Sequence, residues 1–413
     1  MTDDREILHR MFEAALAAAL PDGKFAGRLP SPPRGKTIVI GAGKGSARMA
    51  QAFEAAWDNP CSGLVVTRYG HGAPTRQIEI IEAAHPVPDA AGQRAAERIL
   101  ELAYSAGPDD LVICLMSGGA SALLALPAPG VTLADKQALG KALLRSGAPI
   151  GEINTVRKAL SAIKGGRLLA AAAPAQVITY LISDVPGDDP AAIGSGPTIP
   201  EASAPQAALA ILHRYGITVE PHVERVIHDN VIATIPPAGA VHMLATPKMA
   251  LDAAASVARE AGLTPMILGD AIEGEAREVA RVMAGIARSV REHGQPLPAP
   301  VVLISGGETT VTVKANGRGG RNAEFLLALL IALGETTDLS AVACDTDGID
   351  GVESNAGAWF GSGALSKAKA AGLSASDALA NNDAFSFFDS LGLLVTTGPT
   401  LTNVNDFRAI LIR

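Results

Sequence analysis

Apolar runs of strand length in this chain repeatedly stop at clusters of glycine, serine or aspartate. Thr37-Ile38-Val39-Ile40 runs into Gly41-Ala42-Gly43-Lys44-Gly45-Ser46, and Leu111-Val112-Ile113-Cys114-Leu115-Met116 into Ser117-Gly118-Gly119-Ala120-Ser121. Val177 to Ile182 ends in Ser183-Asp184-Val185-Pro186-Gly187-Asp188-Asp189. In the second half, Val301-Val302-Leu303-Ile304 meets Ser305-Gly306-Gly307-Glu308, and Leu339 to Cys344 meets Asp345-Thr346-Asp347-Gly348-Ile349-Asp350-Gly351. Helical periodicity follows several of these tips, as at 46–57 and 323–333. Strands interleaved with helices pack as α/β layers, and open α/β sheets bind ligands at the carboxyl ends of their strands. The tips recur at unequal offsets, so they do not mark a duplication.

At 413 residues the chain exceeds one ordinary core, which favours two domains or three. A Pro-interrupted stretch follows helical segments from residue 203, and Ile235-Pro236-Pro237-Ala238-Gly239 is its best linker. The expected domains are therefore 1–237 and 238–413. Further helices are expected over 4–20, 90–104, 133–146, 154–173, 249–262 and 273–293. A net charge of −8 argues against nucleic acid or a membrane surface as partner, so an anionic substrate needs locally placed cations. Cys61, Cys114 and Cys344 lie far apart with no CxxC spacing, as in a reducing compartment. The first residues, Met-Thr-Asp-Asp-Arg-Glu, lack a basic and apolar leader, and Leu168 to Ser183 is too short and Pro-broken to span a bilayer. A cytoplasmic protein is expected.

Gly41 to Ser46 joins a strand to a helix start, where unpaired amides and the helix dipole favour an anion. Lys44 opposes that dipole, which points to an anionic partner rather than a solvated lysine. The loop is a near miss for two phosphate-binding motifs: GxGxxG needs glycine where Ser46 stands, and a P-loop needs four residues between its glycines; the next strand, Gly63 to Thr67, ends in Arg68 rather than the acid that grips an NAD ribose, which weakens NAD binding and leaves an NADP variant open. His85, held extended before Pro86, is either a cleft residue or a structural one. The aspartates of the 184–189 tip can hold Mg²⁺ or act as a base, and equally serve as turn and N-cap residues. Residues 305–322 read as a strand, a β-rich arm and a second glycine cluster, Gly317-Arg318-Gly319-Gly320-Arg321-Asn322, whose arginines offer forked donors to phosphate or carboxylate.

Taken together, Gly41-Ala42-Gly43-Lys44, His85-Pro86-Val87-Pro88, Ser117-Gly118-Gly119, Glu152-Ile153-Asn154, Val156-Arg157-Lys158, Lys164-Gly165-Gly166, Ser183-Asp184-Val185, Ser195-Gly196-Pro197-Thr198, Ser305-Gly306-Gly307-Glu308, Gly319-Gly320-Arg321-Asn322, Asp345-Thr346-Asp347-Gly348 and Thr397-Gly398-Pro399-Thr400 closely resemble the class II glycerate kinases. That is the glycerate 2-kinase family ending in a MOFRL domain, and the match runs in order along nearly the whole chain. Ala120 departs from a glycine common in relatives, and Ala323 from a glutamine. Neither change removes a charge.

The resemblance implies an α/β protein with a Rossmann-like N-terminal domain of three layers, a C-terminal α/β MOFRL domain and an active site in the interdomain cleft. The extreme C-terminal segment would pack back on the N-terminal domain. It further implies transfer of phosphate from ATP, with Mg²⁺, to the 2-hydroxyl of D-glycerate, giving 2-phosphoglycerate, with a homodimer as an assembly to consider. Expected catalytic residues are Lys44, Arg321, Asp184 and Asp347, with Asp188 and Asp189 on the metal. Expected substrate or nucleotide contacts are Gly41, Gly43, Ser46, His85, Ser117, Gly118, Gly119, Asn154, Arg157, Ser305, Gly306, Gly307, Glu308, Gly319, Gly320, Asn322 and Asn403. Phosphoryl transfer needs cations, a bridging metal and alignment, which two cations and acidic strand ends supply. The alternative is an NAD(P)H-dependent hydroxypyruvate reductase, a label some members carry; the missing glycine and ribose acid count against it.

Overall fold

The computed structural model describes residues 3–232, 234 and 236–413. Ile235, the first residue of the expected linker, lies outside them. Two compact units emerge: Pro21–Leu244, and Ala245–Arg413 joined by the stretch ending at Leu20. The division thus falls after Leu244 rather than at 237, and the first helix goes with the second unit.

The parallel-sheet unit contains β1 (Thr37–Ala42), β2 (Ser62–Arg68), β3 (Ile78–Ala83), β4 (Leu111–Met116), β5 (Gln176–Ile182) and β6 (Ala240–Ala245), in the order β3-β2-β1-β4-β5-β6. β1 and β4 are buried along their whole length, as their unbroken apolar runs require. The first five strands are mutually parallel. β6 joins this sheet beyond the Pro-rich stretch, which carries the unit a few residues past the expected linker.

The strand order reverses between β1 and β4, so a crevice opens at their carboxyl ends. Ile38, Ile40, Val66, Ile99, Cys114 and Met116 are among the residues packing between this sheet and α3 (Ala90–Tyr104), while α2 (Ser46–Ala56) leaves the tip of β1 and α4 (Ala120–Leu123) that of β4.

A second core gathers α5 (Leu133–Arg145), α6 (Ile150–Ala159), α8 (Pro205–Arg214) and α9 (Pro221–Asp229) around Leu143, Ile153, Leu212 and Ile227. The helix expected over 154–173 breaks after Ala159 and resumes as α7 (Arg167–Ala172). Between them Ser161 forms a bridge with Pro127, Ala162 N donates to Leu126 O (3.1 Å), and Gly165 and Gly166 take φ of +59° and +80°. Those glycines accept a left-handed backbone at little cost.

The mixed-sheet unit is built on β7 (Thr264–Gly269), β9 (Val301–Gly307), β11 (Leu339–Asp345), β12 (Gly357–Phe360), β13 (Leu394–Val395) and β14 (Asp406–Ile412), ordered β13-β12-β11-β14-β9-β7. The last strand, β14, runs between β11 and β9, antiparallel to both, inside its own unit's sheet. The N-terminal helix α1 (Asp4–Ala19) belongs to this unit: Phe12 stacks on Phe407 at 5.8 Å, Thr402 Oγ1 donates to Ala19 O at 2.8 Å, and Arg413 Nε donates to Asp4 Oδ1 at 3.0 Å. Its apolar stripe, Ile7, Leu8, Met11, Phe12 and Ala15, finds its cover there, beside α10 (Pro247–Glu260). Helices α11 (Ala276–His293) and α12 (Arg321–Leu333) contribute to the apolar core with Phe325, Ala284 and Ile410. The expected β-rich arm shrinks to β10 (Thr309–Thr310), paired with β8 (Gly274–Glu275). Among the described residues no helix is long and apolar enough to cross a membrane.

Candidate active site

At the reversal point of the parallel sheet, the tips of β1 and β4 are stitched together. Lys44 N donates to Gly118 O (2.8 Å), Gly45 N to Ser117 Oγ (2.9 Å), and Ser117 N to Ala42 O (3.1 Å). Gly43, at φ +138°, touches Ser117 so closely that a Cβ would lie 2.1 Å from Ser117 Oγ. A Cβ on Gly41 would lie 2.1 Å from Leu115 O. Ser46 is wholly buried, and its hydroxyl is shared between Gly43 O and Val66 O, each at 2.8 Å. Gly41, Gly43 and Ser46 close the tip by packing against their own chain, and the Gly45 amide is satisfied by Ser117. The half-buried Lys44 side chain, the half-buried His85 and the Gly119 backbone lie at the same tip. A Cβ on Gly119 would sit 3.0 Å from His85 Nε2 and 3.2 Å from Lys44 Cγ, so the three meet.

Asn154 and Arg157 face each other across one turn of α6, Arg157 Nη1 to Asn154 Oδ1 at 3.5 Å. After β5, Asp184 is half-buried, and Ser183 Oγ accepts from Val185 N at 3.3 Å. Asp189 Oδ1 accepts from Ala191 N (2.9 Å), the turn role. Asp188, at φ +54°, has a buried Oδ1 without a hydrogen-bond partner. Among the described residues no three His, Cys, Asp or Glu side chains are grouped to hold a metal.

The mixed sheet brings three strand ends into register, Asp345 opposite Asp406 and Asp406 opposite Gly307. Arg321, the first residue of α12, lies over them. Its Nε donates to Asp406 Oδ1 (2.8 Å), its Nη2 to Asp345 Oδ2 (2.7 Å), and its Nη1 lies 3.6 Å from Glu308 Oε1. Burial pulls its pKa down, but Asp345, Asp406 and Glu308 together push it well above the ordinary arginine value. Arg321 is thus not a free phosphate-binding cation but one oriented by carboxylates.

Asn322 is also internal: Nδ2 donates to Asp406 Oδ1 (2.8 Å) and its backbone N to Asp350 Oδ1 (3.0 Å). Arg408 is 1% exposed and donates to Asp406 Oδ2 and to Thr309 Oγ1 (3.2 Å). Asp347 Oδ1 accepts from Ile349 N (2.9 Å) and Asn403 Oδ1 from Asn405 N (3.3 Å), both within buried turns. Ser305 is buried in β9. The glycines expected at the ligand pack closely on protein: a Cβ would lie 3.2 Å from Asp406 O at Gly306, 2.2 Å from Ile272 N at Gly307, 3.2 Å from Phe385 N at Gly319 and 2.3 Å from Asp350 Oδ1 at Gly320.

The sequence reading left Asp345, Asp350, Asp406 and Arg408 outside its site. A usable signal existed for Arg408, a single charge in the otherwise apolar run Phe407 to Ile412.

The domain of unknown function DUF4147 matches residues 7–228 and the MOFRL family matches residues 301–406. A protein of Agrobacterium vitis, provisionally named a hydroxypyruvate reductase, is 52% identical over 99% of this chain and 94% of its own. The D-glycerate 2-kinase of Thermotoga maritima is 39% identical over 97% of each chain. The crystal structure of a Thermotoga maritima glycerate kinase superposes with a TM-score of 0.90 at 38% identity, covering 99% of both chains. Likeness of this extent in sequence, domain order and fold establishes that the chain belongs to the glycerate kinase family in which a DUF4147 domain is followed by a MOFRL domain.

Proposed function

We propose that this protein is a glycerate 2-kinase, transferring the γ-phosphoryl group of ATP to the 2-hydroxyl of D-glycerate. The observation that carries the reading is Lys44, presented with His85 and Gly119 at the strand-order reversal of a chain that superposes on a glycerate kinase. Phosphoryl transfer asks mainly for positioning and positive charge. Lys44 supplies an ammonium for the migrating phosphoryl. Arg321 supplies a guanidinium whose orientation Asp345 and Asp406 fix, leaving Nη1 the least engaged. Asp184, at the carboxyl end of the parallel strand β5, where open α/β sheets bind ligands, is assigned to take the hydroxyl proton.

Mg²⁺ fits the 188–189 tip as a metal that arrives with nucleotide. It usually takes one or two carboxylates and fills its shell with water and phosphate. Asp188 offers a carboxylate oxygen with no other partner. The ion, when bound, neutralises charge across the nucleotide phosphates. With its three cysteines unpaired, the enzyme is assigned to the cytoplasm.

Against the reductase reading, Ser46 stands sealed in the turn where the dinucleotide fingerprint needs glycine, and β2 ends in Arg68 rather than the acid that grips an NAD ribose. Purified protein given D-glycerate, ATP and Mg²⁺ should release ADP and 2-phosphoglycerate, identified by ³¹P NMR. Oxidation of NADH or NADPH with hydroxypyruvate, without phosphorylation of glycerate, overturns the assignment.

A further inference from the structure

In the mixed-sheet unit, the alternation of side chains along a strand sends Ala341 and Ala343 of β11, and Ala358 and Phe360 of β12, into the core shared with α12. Val342 and Trp359 lie directly opposite one another across these two strands, so both stand on the other face. That face carries α1, fastened over β14 and the start of β11 by Phe12 on Phe407 and by Asp4, which accepts from Ser340 Oγ (3.3 Å) and Arg413 Nε (3.0 Å). The sheet continues past the helix to β12 and β13. A helix is about 10 Å wide and strands lie about 4.8 Å apart, so α1 covers roughly two strands and leaves the outer pair open beside it. A cavity of about 300 Å³ lies in that angle, within the range of small-molecule sites, about 300–1,000 Å³.

The lining divides by chemistry. Leu8 and Phe12 of α1, Val342 of β11 and Val395 of β13 are buried and form apolar walls. Two donors complete it. The Trp359 indole Nε1 is buried with no hydrogen-bond partner, which forfeits about 1–3 kcal/mol in a closed fold. Arg5, one turn before Leu8 and His9 on the same helix stripe, holds its guanidinium carbon 4.8 Å from the centroid of the Trp359 ring, so both donors meet at one end of the cavity. No carboxylate lines the cavity. Among the described residues none pairs with the Arg5 guanidinium, and the acids nearest in sequence are engaged: Asp3 Oδ1 accepts from the Arg5 backbone N (3.3 Å), Asp4 is held by Ser340 and Arg413, and Glu13 faces His9 (3.3 Å).

We propose that this cavity binds a small monocarboxylate with an apolar body, such as an aryl or branched alkyl acid. The body fills the space between Leu8, Phe12, Val342 and Val395, and the carboxylate accepts from Trp359 Nε1 and the Arg5 guanidinium. An arginine over an aromatic face keeps its N–H fork for an anion of this shape. None of these residues is assigned to phosphoryl transfer, so the site stands independently of the kinase reading.

The full chain labelled with ¹⁵N at tryptophan gives two indole N–H signals, from Trp57 and Trp359, which Trp57→Phe tells apart. Phenylacetate is the probe, and phenethyl alcohol, of similar shape without the charge, is its control. The acid should bind with a Kd of about 1 mM or tighter and move the Trp359 signal downfield as the N–H gains an acceptor, with the Trp57 signal unmoved. The alcohol should bind at least about tenfold more weakly. Arg5→Gln, at an exposed position, should weaken the acid about tenfold and leave the alcohol unchanged. The wild-type comparison of acid with alcohol stands even if the variant fails to fold. A Trp359 signal unmoved by millimolar acid, equal affinity for acid and alcohol, or undiminished acid binding in folded Arg5→Gln overturns the proposal. A Trp359 signal that moves with protein concentration rather than with acid also overturns it, and assigns the face to a second copy of this chain.

Discussion

Asp350→Asn offers a clean test of how the Arg321 tip is held. Gly320 precedes α12 and has no side chain to cap it, so the cap comes from Asp350: Oδ1 accepts from Asn322 N (3.0 Å) and Oδ2 from Ala323 N (2.8 Å). The carboxylate is fully buried. Burial raises its pKa; the two amides lower it, Asp406 raises it and Arg321 lowers it, and the net position is about 6 against 3.8 for a free aspartate. A folded-state pKa raised above the unfolded one contributes stability that is complete below the unfolded value and is lost as pH rises through the folded one. At 1.36 kcal/mol per unit, a shift of about two units corresponds to roughly 3 kcal/mol, lost between about pH 4 and pH 7. Asparagine cannot titrate there, so the variant lacks this contribution at every pH. Urea unfolding, followed by Trp359 fluorescence in a Trp57→Phe background, reads the mixed-sheet unit alone. The wild type should weaken relative to Asp350→Asn by about 3 kcal/mol from pH 4 to pH 7, on top of a constant offset for the altered cap. Parallel curves over that range would show that Asp350 is not a buried, strained acid, and the argument would fail.

Gly43→Ala, which pushes a Cβ to 2.1 Å from Ser117 Oγ at φ +138°, should lower stability by about 2–5 kcal/mol in thermal unfolding. Asp406→Ala leaves the 1% exposed Arg408 without its carboxylate and should cost about 3–5 kcal/mol in chemical denaturation. Lys44→Met and Arg321→Met should each reduce kcat/KM for glycerate by about 10²–10³-fold, with the double variant losing less than the product. Simple multiplication of the two losses would assign the cations to separate steps.

Much of the architecture was legible along the chain. Runs rich in apolar residues marked β1, β4, β9 and β11, because a strand buried on both faces is apolar along most of its length, and small or acidic residues marked where each run ends. Lys44, His85 and Ser117 to Gly119 were identified as candidates, and the structure brings Lys44, His85 and Gly119 together. Less was legible where a local pattern had two uses. The left-handed glycines at 165 and 166 end a helix that composition alone would continue, and most of the expected ligand-cradling glycines are sites where one segment presses on another.

The environment of Arg321 was decided only by the tertiary structure. Its partners lie 24 and 85 residues away, and they face it because β14 inserts between β11 and β9. Nothing local in Asp406-Phe407-Arg408 announces that insertion. The sequence by itself determined which segments are strands and helices and where their polar ends fall, since periodicity and backbone preference act over a few residues. Strand order, the home of the first helix and the partner of each buried charge depend on pairing between distant segments, and the need to match buried charges is settled only when those segments meet.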